Sequence, residues 1–170
     1  MIQVKISSLA VDESRQFPVV ILQSLDGTKR LPIWIGPTEA SAIAMEVAKK
    51  KFPRPLTHDL ILSILTGLEV KVSRVEITDL RENTFYAKIY LELHDKIIAV
   101  DARPSDSLAV ALKSKAKIFV DPKLFTDEVD RLVKGEPDPA EGEPPDEVRV
   151  RELKSFLEQM DPKDFGRFHL

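Results

Sequence analysis

Gly36-Pro37-Thr38-Glu39-Ala40-Ser41-Ala42-Ile43-Ala44-Met45 and Arg103-Pro104-Ser105-Asp106-Ser107-Leu108-Ala109-Val110-Ala111-Leu112 say nearly the same thing 67 residues apart. Each puts a proline where the first helical residue favours one, and an acid in the first turn, where the helix dipole favours negative charge. Upstream, Val4-Lys5-Ile6-Ser7-Ser8-Leu9-Ala10-Val11 lines up with Val70-Lys71-Val72-Ser73-Arg74-Val75-Glu76-Ile77 at an offset of 66. Two matches at nearly one offset point to an internal duplication. Similar strand and helix-start chemistry is the other account. Duplicated units often pack face to face, with equivalent turns near a pseudo-twofold axis. The helix starts at Pro37 and Pro104 are therefore the first place to expect a site.

Working outward, residues 2–11 alternate apolar and polar side chains, as a strand does. Residues 17–25 read as a second strand, Asp26-Gly27 as a hairpin turn and 30–35 as a third strand. Phe52-Pro53-Arg54-Pro55 must break the first helix, because the residue before a proline avoids the helical region. Residues 57–67 then form a helix, which Thr57 can cap. Its Leu60, Ile61, Ile64, Leu65 and Leu68 make it apolar enough to be central. The second unit repeats the plan: strands at 69–79 and 84–93 around Arg81-Glu82-Asn83, another at 96–101, the Pro104 helix to about Lys115, and a closing strand at 117–120. The fold class expected is α+β, with duplicated βββα units, a mixed or antiparallel sheet and a further C-terminal helix. One domain covers 1–125. Residues 126–146 are an acidic, proline-rich linker. Residues 147–170 are a helical tail in which Leu153, Phe156, Leu157 and Met160 share a stripe that needs an apolar partner.

The 170 residues suffice for one substantial core. No apolar run approaches the roughly 20 residues that span a bilayer, and the N-terminus has no signal-peptide architecture, so a cytoplasmic protein without membrane contact is expected. The absence of cysteine excludes disulfides, thiolate metal sites and a cysteine nucleophile. A single asparagine beside 31% charged residues is a thermophile-like composition. The net charge of −3 is unevenly spread: 18 basic and 15 acidic residues in 1–125, against 7 and 13 in 126–170. A mildly basic body permits nucleic-acid binding without demanding it. The acidic tail could cover a basic face, or simply keep the chain soluble.

Two polar clusters are candidate sites. In Asp101-Ala102-Arg103-Pro104-Ser105-Asp106, a strand end meets a helix start. Asp101 and Asp106 could hold a divalent cation such as Mg²⁺ or Mn²⁺, with Arg103 and Ser105 at a phosphate. Equally, Asp106, like Glu39 in the first copy, could only cap its helix. In Arg54-Pro55-Leu56-Thr57-His58-Asp59, His58 could move protons and the fixed backbone of Arg54 could aim it at phosphate. Equally, His58 could be a surface residue beside a cap, and Arg54 could serve a structural salt bridge. Glu46 and the lysines that end both repeated helices have plain helical explanations, and would form a phosphate track only if the duplication brings those lysines together.

Leu31-Pro32-Ile33-Trp34-Ile35-Gly36, Glu39, the run from Phe52 to Leu60, Asn83-Thr84-Phe85-Tyr86-Ala87 and Asp101-Ala102-Arg103-Pro104-Ser105-Asp106-Ser107 together resemble the bifunctional nuclease domain family, over about residues 1–125. The resemblance implies an α+β fold, a nuclease label for RNA and DNA that comes from plant relatives, and a homodimer in bacterial members. It supplies no settled catalytic residues. The expected function is metal-assisted phosphodiester hydrolysis. Asp101, Asp106 and Glu39 would carry metal or activate water, Arg54 and Arg103 would neutralise phosphate, and His58 would move protons. The rival is a non-catalytic homodimeric module that binds an anionic ligand or a protein, with the polar corners serving as caps.

Overall fold

The computed structural model describes residues 1–12 and 17–126. Seven strands and three helices follow one another as β1 (Ile2–Asp12), β2 (Phe17–Ser24), β3 (Arg30–Trp34), α1 (Pro37–Val47), α2 (Thr57–Gly67), β4 (Lys71–Arg81), β5 (Thr84–Leu93), β6 (Lys96–Ala102), α3 (Pro104–Ser114) and β7 (Lys117–Val120), with a 3-10 turn at Pro122–Leu124. The strands form one sheet in the order β3-β2-β1-β7-β4-β5-β6. Each βββ meander is antiparallel, and β7 stitches the two together, antiparallel to β1 and parallel to β4. This is the expected α+β class with a mixed sheet. The expected linker and C-terminal helix lie outside the described residues.

The repeat extends to irregularities of the backbone. β1 slips register against β2 between Ile6 and Ser8, and β4 slips against β5 between Val72 and Arg74. The extra residues, Ser7 and Ser73, are the pair aligned in the repeated sequence. A β-bulge kinks a strand and sharpens its twist, so the two units bend at matching places. The turns follow local chemistry. Gly27 takes φ +78° in the β2–β3 turn, where Asp26 accepts hydrogen bonds from Ser24 and Thr28. Those bonds lower the Asp26 pKa to about 2, Ser24 contributing most. The β4–β5 turn is tighter than expected. Arg81 pairs with Thr84, which leaves a two-residue turn with Glu82 and Asn83 both left-handed.

The core joins Val20, Leu22, Leu31 and Ile33 of the first unit to Val75, Ile77 and Ala87 of the second, with Ile118 and Val120 between them. Ile43 of α1 and Leu108 of α3 close it, both fully buried. α3 is the central helix: Ser105 and every residue from Ser107 to Ala111 are buried. Its small residues let β4, β5, β7, α1 and α2 all approach it.

That arrangement corrects one expectation. α2 is apolar enough to be central, yet it has no buried residue. Leu60, Ile64 and Leu68 are 54%, 52% and 62% exposed. The cause is packing order. α3 fills the centre, and α2 lies on the outer flank of α3 with one face open. Strand β6 is similarly uncovered at Ile97, Ile98 and Val100. Among the described residues, no helix is long and apolar enough to cross a membrane.

Candidate active site

The two repeated helix starts meet. Arg103, the residue before α3, donates from Nε to Asp106 Oδ2 at 2.7 Å and from Nη2 to Asp106 Oδ1 at 3.2 Å. Its Nη1 reaches Glu39 Oε1 in the first turn of α1 at 2.9 Å. One guanidinium therefore clamps the two acids that hold the same place in the repeated stretches. These acids do not cap their helices; neither helix start has a side-chain cap. Asp59 in α2 is the acid that does this, its Oδ2 accepting from the Leu56 N–H at 2.9 Å. Thr57 is the first helical residue of α2 and Leu56 stands at its N-cap, so the expected Thr57 cap is replaced by this carboxylate.

His58 completes the corner. Its Nε2 lies 3.2 Å from Asp106 Oδ1, and its side chain is only 13% exposed. Burial alone would raise the Asp106 pKa. Hydrogen bonds from Arg103 and His58 outweigh it and hold the carboxyl below its ordinary value. The corner thus joins an ionised carboxylate, an imidazole set by it and a fixed guanidinium. A histidine so oriented has one ring nitrogen engaged and the other left for proton traffic.

A second knot anchors this geometry. Lys113 of α3 donates to Asp59 Oδ1 at 2.6 Å and to Glu46 Oε2 of α1 at 3.0 Å. Helix chemistry alone assigns Lys113 no partner beyond the dipole. The signal that could have found this knot is the repeat itself, since Glu46 and Lys113 are 67 residues apart and hold equivalent positions.

His58 lines two depressions. A groove of about 770 Å³ runs past it, edged by Lys49, Lys50, Lys51, Arg54 and Lys115. The lysines that end the repeated helices are thereby brought together. An adjoining apolar cleft of about 1310 Å³ includes Met45, Ile61, Ile89 and Val100, with Asp101, Arg103 and Asp106 at its polar end. Asp101 is exposed on β6, opposite Lys88 of β5. Ser105 is buried, at a smaller hollow beside Trp34 and Asn83. Trp34 donates from Nε1 to Asp12 Oδ2 at 2.8 Å.

The donor set bears on the expected cation. Among the described residues, no three His, Asp or Glu side chains gather so as to hold a metal ion. Both Asp106 oxygens already serve Arg103 and His58. A divalent ion at Asp101 and Asp106 would have to displace Arg103.

The sequence pattern of the bifunctional nuclease domain matches residues 20–130, which takes in this whole corner. The chain belongs to the bifunctional nuclease domain family. An uncharacterised protein of Mycobacterium tuberculosis (strain H37Rv) is 38% identical over 163 residues, covering 96% of this chain and 97% of its own. Bifunctional nuclease 1 of Oryza sativa subsp. japonica is 23% identical over 120 residues, covering 68% of this chain and 36% of the rice protein. Bifunctional nuclease 2 of the same rice is 24% identical over 114 residues, 65% of this chain and 35% of its own. This bifunctional nuclease domain therefore corresponds to about a third of each rice protein.

Gly36 tests the Glu39 arm of the clamp. A Cβ placed there would collide with Glu39 Oε2, the free end of a flexible side chain. Gly36 has φ −69°, so alanine brings no backbone strain. Gly36→Ala is expected to fold normally, with Tm within about 3 °C of wild type. It should swing Glu39 off Arg103, so that a carboxylate no longer competes for that guanidinium and an anionic probe such as a labelled oligonucleotide should bind about threefold tighter. Fluorescence anisotropy checks this beside Glu39→Gln, which should match it.

Proposed function

We propose that this bifunctional nuclease domain hydrolyses phosphodiester bonds of nucleic acid at the corner formed by His58, Asp106 and Arg103. The observation that carries the reading is His58, held against Asp106 at the side of a lysine- and arginine-edged groove. In this reading the strand lies in the groove and its phosphates face Lys49, Lys51, Arg54 and Lys115. Arg103, at the polar end of the adjoining cleft, neutralises the phosphate under attack where the strand passes His58. His58 takes a proton from the attacking water, and Asp106 stabilises the imidazolium that results. The water oxygen bonds to phosphorus, the P–O bond to the departing sugar breaks, and the leaving oxygen takes up a proton. Glu39 positions Arg103. A role for Mg²⁺ or Mn²⁺ at Asp101 and Asp106 is what a chelator arm measures.

The experiment is cleavage of labelled single-stranded RNA and DNA by pure protein with Mg²⁺, with Mn²⁺ and with chelator. A combined Lys51→Ala, Arg54→Ala, Lys115→Ala variant should weaken oligonucleotide binding across sequences. It should also flatten the dependence of log K on log salt by about 2 to 3, roughly one for each phosphate that is no longer neutralised. An unchanged salt slope would remove the groove from the binding face.

One observation favours a second reading. Arg103 already has carboxylate partners on two sides, which suits a closed structural corner in a non-catalytic module for an anionic ligand or protein. Binding without cleavage under every metal condition would select it. A homodimer is proposed under both readings, and sedimentation of the full chain tests it.

A further inference from the structure

Two adjoining features of the domain lack a counterpart among the described residues. One is the basic edge formed by Lys49, Lys51, Arg54 and Lys115. The other is the outer face of α2, where Leu60, Ile64 and Leu68 repeat every fourth residue and are each more than half exposed. They are neighbours, because Leu56, His58, Asp59 and Ser63 of the α2 region line the same groove. Contiguous exposed apolar surface of this kind marks a docking site.

Beyond Thr126 the chain carries 44 more residues, and their chemistry matches both features in order. Between 136 and 147 come six acids and no lysine or arginine. Then come Leu153, Phe156, Leu157 and Met160, at spacings of three, one and three. We propose that this C-terminal segment docks on its own domain, the acidic run along the basic groove and the apolar residues on α2, and so competes with nucleic acid for that groove. Docking stands on complementarity alone; competition rests on the groove being the nucleic-acid face.

Reach does not limit it. Thr126 follows Lys115 by eleven positions, so the two are at most about 40 Å apart. The fifteen residues from Thr126 to Glu141 can span about 50 Å. Tethering also supplies an effective concentration in the millimolar range, which a second copy of the chain at micromolar levels does not match. An acidic segment that mimics a phosphate backbone would be displaced by a true one, and salt would weaken both contacts with the basic edge.

The absence of cysteine gives a clean test on the full chain. Ser155→Cys carries one nitroxide label, and its effect on the Leu60, Ile64 and Leu68 methyl NMR signals is recorded. Broadening of those methyls is expected, reversed by Phe156→Ser/Leu157→Ser. No broadening would overturn docking. Mixing spin-labelled chains of natural isotope content with isotope-labelled, unmodified chains separates the sources: broadening that vanishes in the mixture means that each domain receives its own segment, whereas broadening that persists there means that a second copy supplies it, and the proposal fails. For competition, Glu136→Gln, Asp138→Asn, Glu141→Gln, Glu143→Gln, Asp146→Asn and Glu147→Gln are combined. This variant should bind fluorescein-labelled oligo(dT) about tenfold tighter at low salt. Unchanged affinity beside intact broadening would overturn competition. No oligonucleotide binding by either chain would sink the nucleic-acid reading, while docking would still be decided by the methyl signals.

Discussion

His58→Ala is expected to lower the single-turnover rate of oligonucleotide cleavage by about a thousandfold, within the span that a positioned proton-transfer group contributes. Tm should fall by only a few degrees, since the ring, though largely buried, lies in the first turn of a flanking helix. Asp106→Asn should cost about a hundredfold, because the amide keeps the shape but no longer stabilises a protonated imidazole. Arg103→Ala should lose at least as much as Asp106→Asn and also raise KM, since in the proposed mechanism the guanidinium, which fixes Asp106, also meets phosphate. The same assay with chelator and with Asp101→Ala separates the chemistries. Cleavage that survives both, yet is lost in His58→Ala, assigns proton transfer to His58. Cleavage that needs Mn²⁺ or Mg²⁺ and is lost in Asp101→Ala would instead support two carboxylates around a cation, with Arg103 displaced. Full activity in His58→Ala would remove the corner from the mechanism.

The strands and helices are legible in the sequence because their ends carry hard local signals. Pro37 and Pro104 start helices, Asp26-Gly27 turns a hairpin, and the Pro53-Arg54-Pro55 segment forbids helix between α1 and α2. The position of α2 is not legible. Its leucines say that a face must be covered, but not by what, and α3 has already taken the centre. The site is legible in pieces. His58 and Asp106 fall in two separate clusters of the sequence, 48 residues apart, and only tertiary packing joins them. Arg103 stands three residues from Asp106, whereas its Glu39 arm depends on the repeated helix starts lying side by side. Asp101 and Ser105 look equivalent to these by adjacency. Strand alternation and helix rotation send one to an exposed edge strand and the other into a buried position.

Lys113→Met is expected to lower stability by about 2 kcal/mol, roughly 8 °C in Tm, and to cut cleavage by about a hundredfold. Methionine keeps the buried stem, so the cost comes from leaving Glu46 and Asp59 facing each other without their cation. The figure is below the roughly 3–5 kcal/mol of a fully buried pair because Asp59 is 37% exposed. Activity falls because Lys113 holds Asp59, Asp59 caps the start of α2, and His58 is the neighbouring residue. In the proposed mechanism Lys113 is thus a positioning residue, because a small displacement of His58 from Asp106 would spoil proton transfer. The pH dependence has a definite sign. Burial would raise the Asp59 pKa, but the Lys113 and Leu56 hydrogen bonds lower it. Its contribution is present above the unfolded value, near about 3.9, and is lost as pH falls through the folded one. Burial would lower the Lys113 pKa, but Asp59 and Glu46 raise it. That contribution is present below about 10.4 and is lost as pH rises through the folded value. The stability gap between wild type and Lys113→Met should therefore be widest from about pH 5 to 9 and narrow towards both extremes. Urea unfolding across pH measures it. A flat gap would mean that Lys113 contributes through packing alone, and Lys113→Arg should restore both stability and rate if charge is what matters.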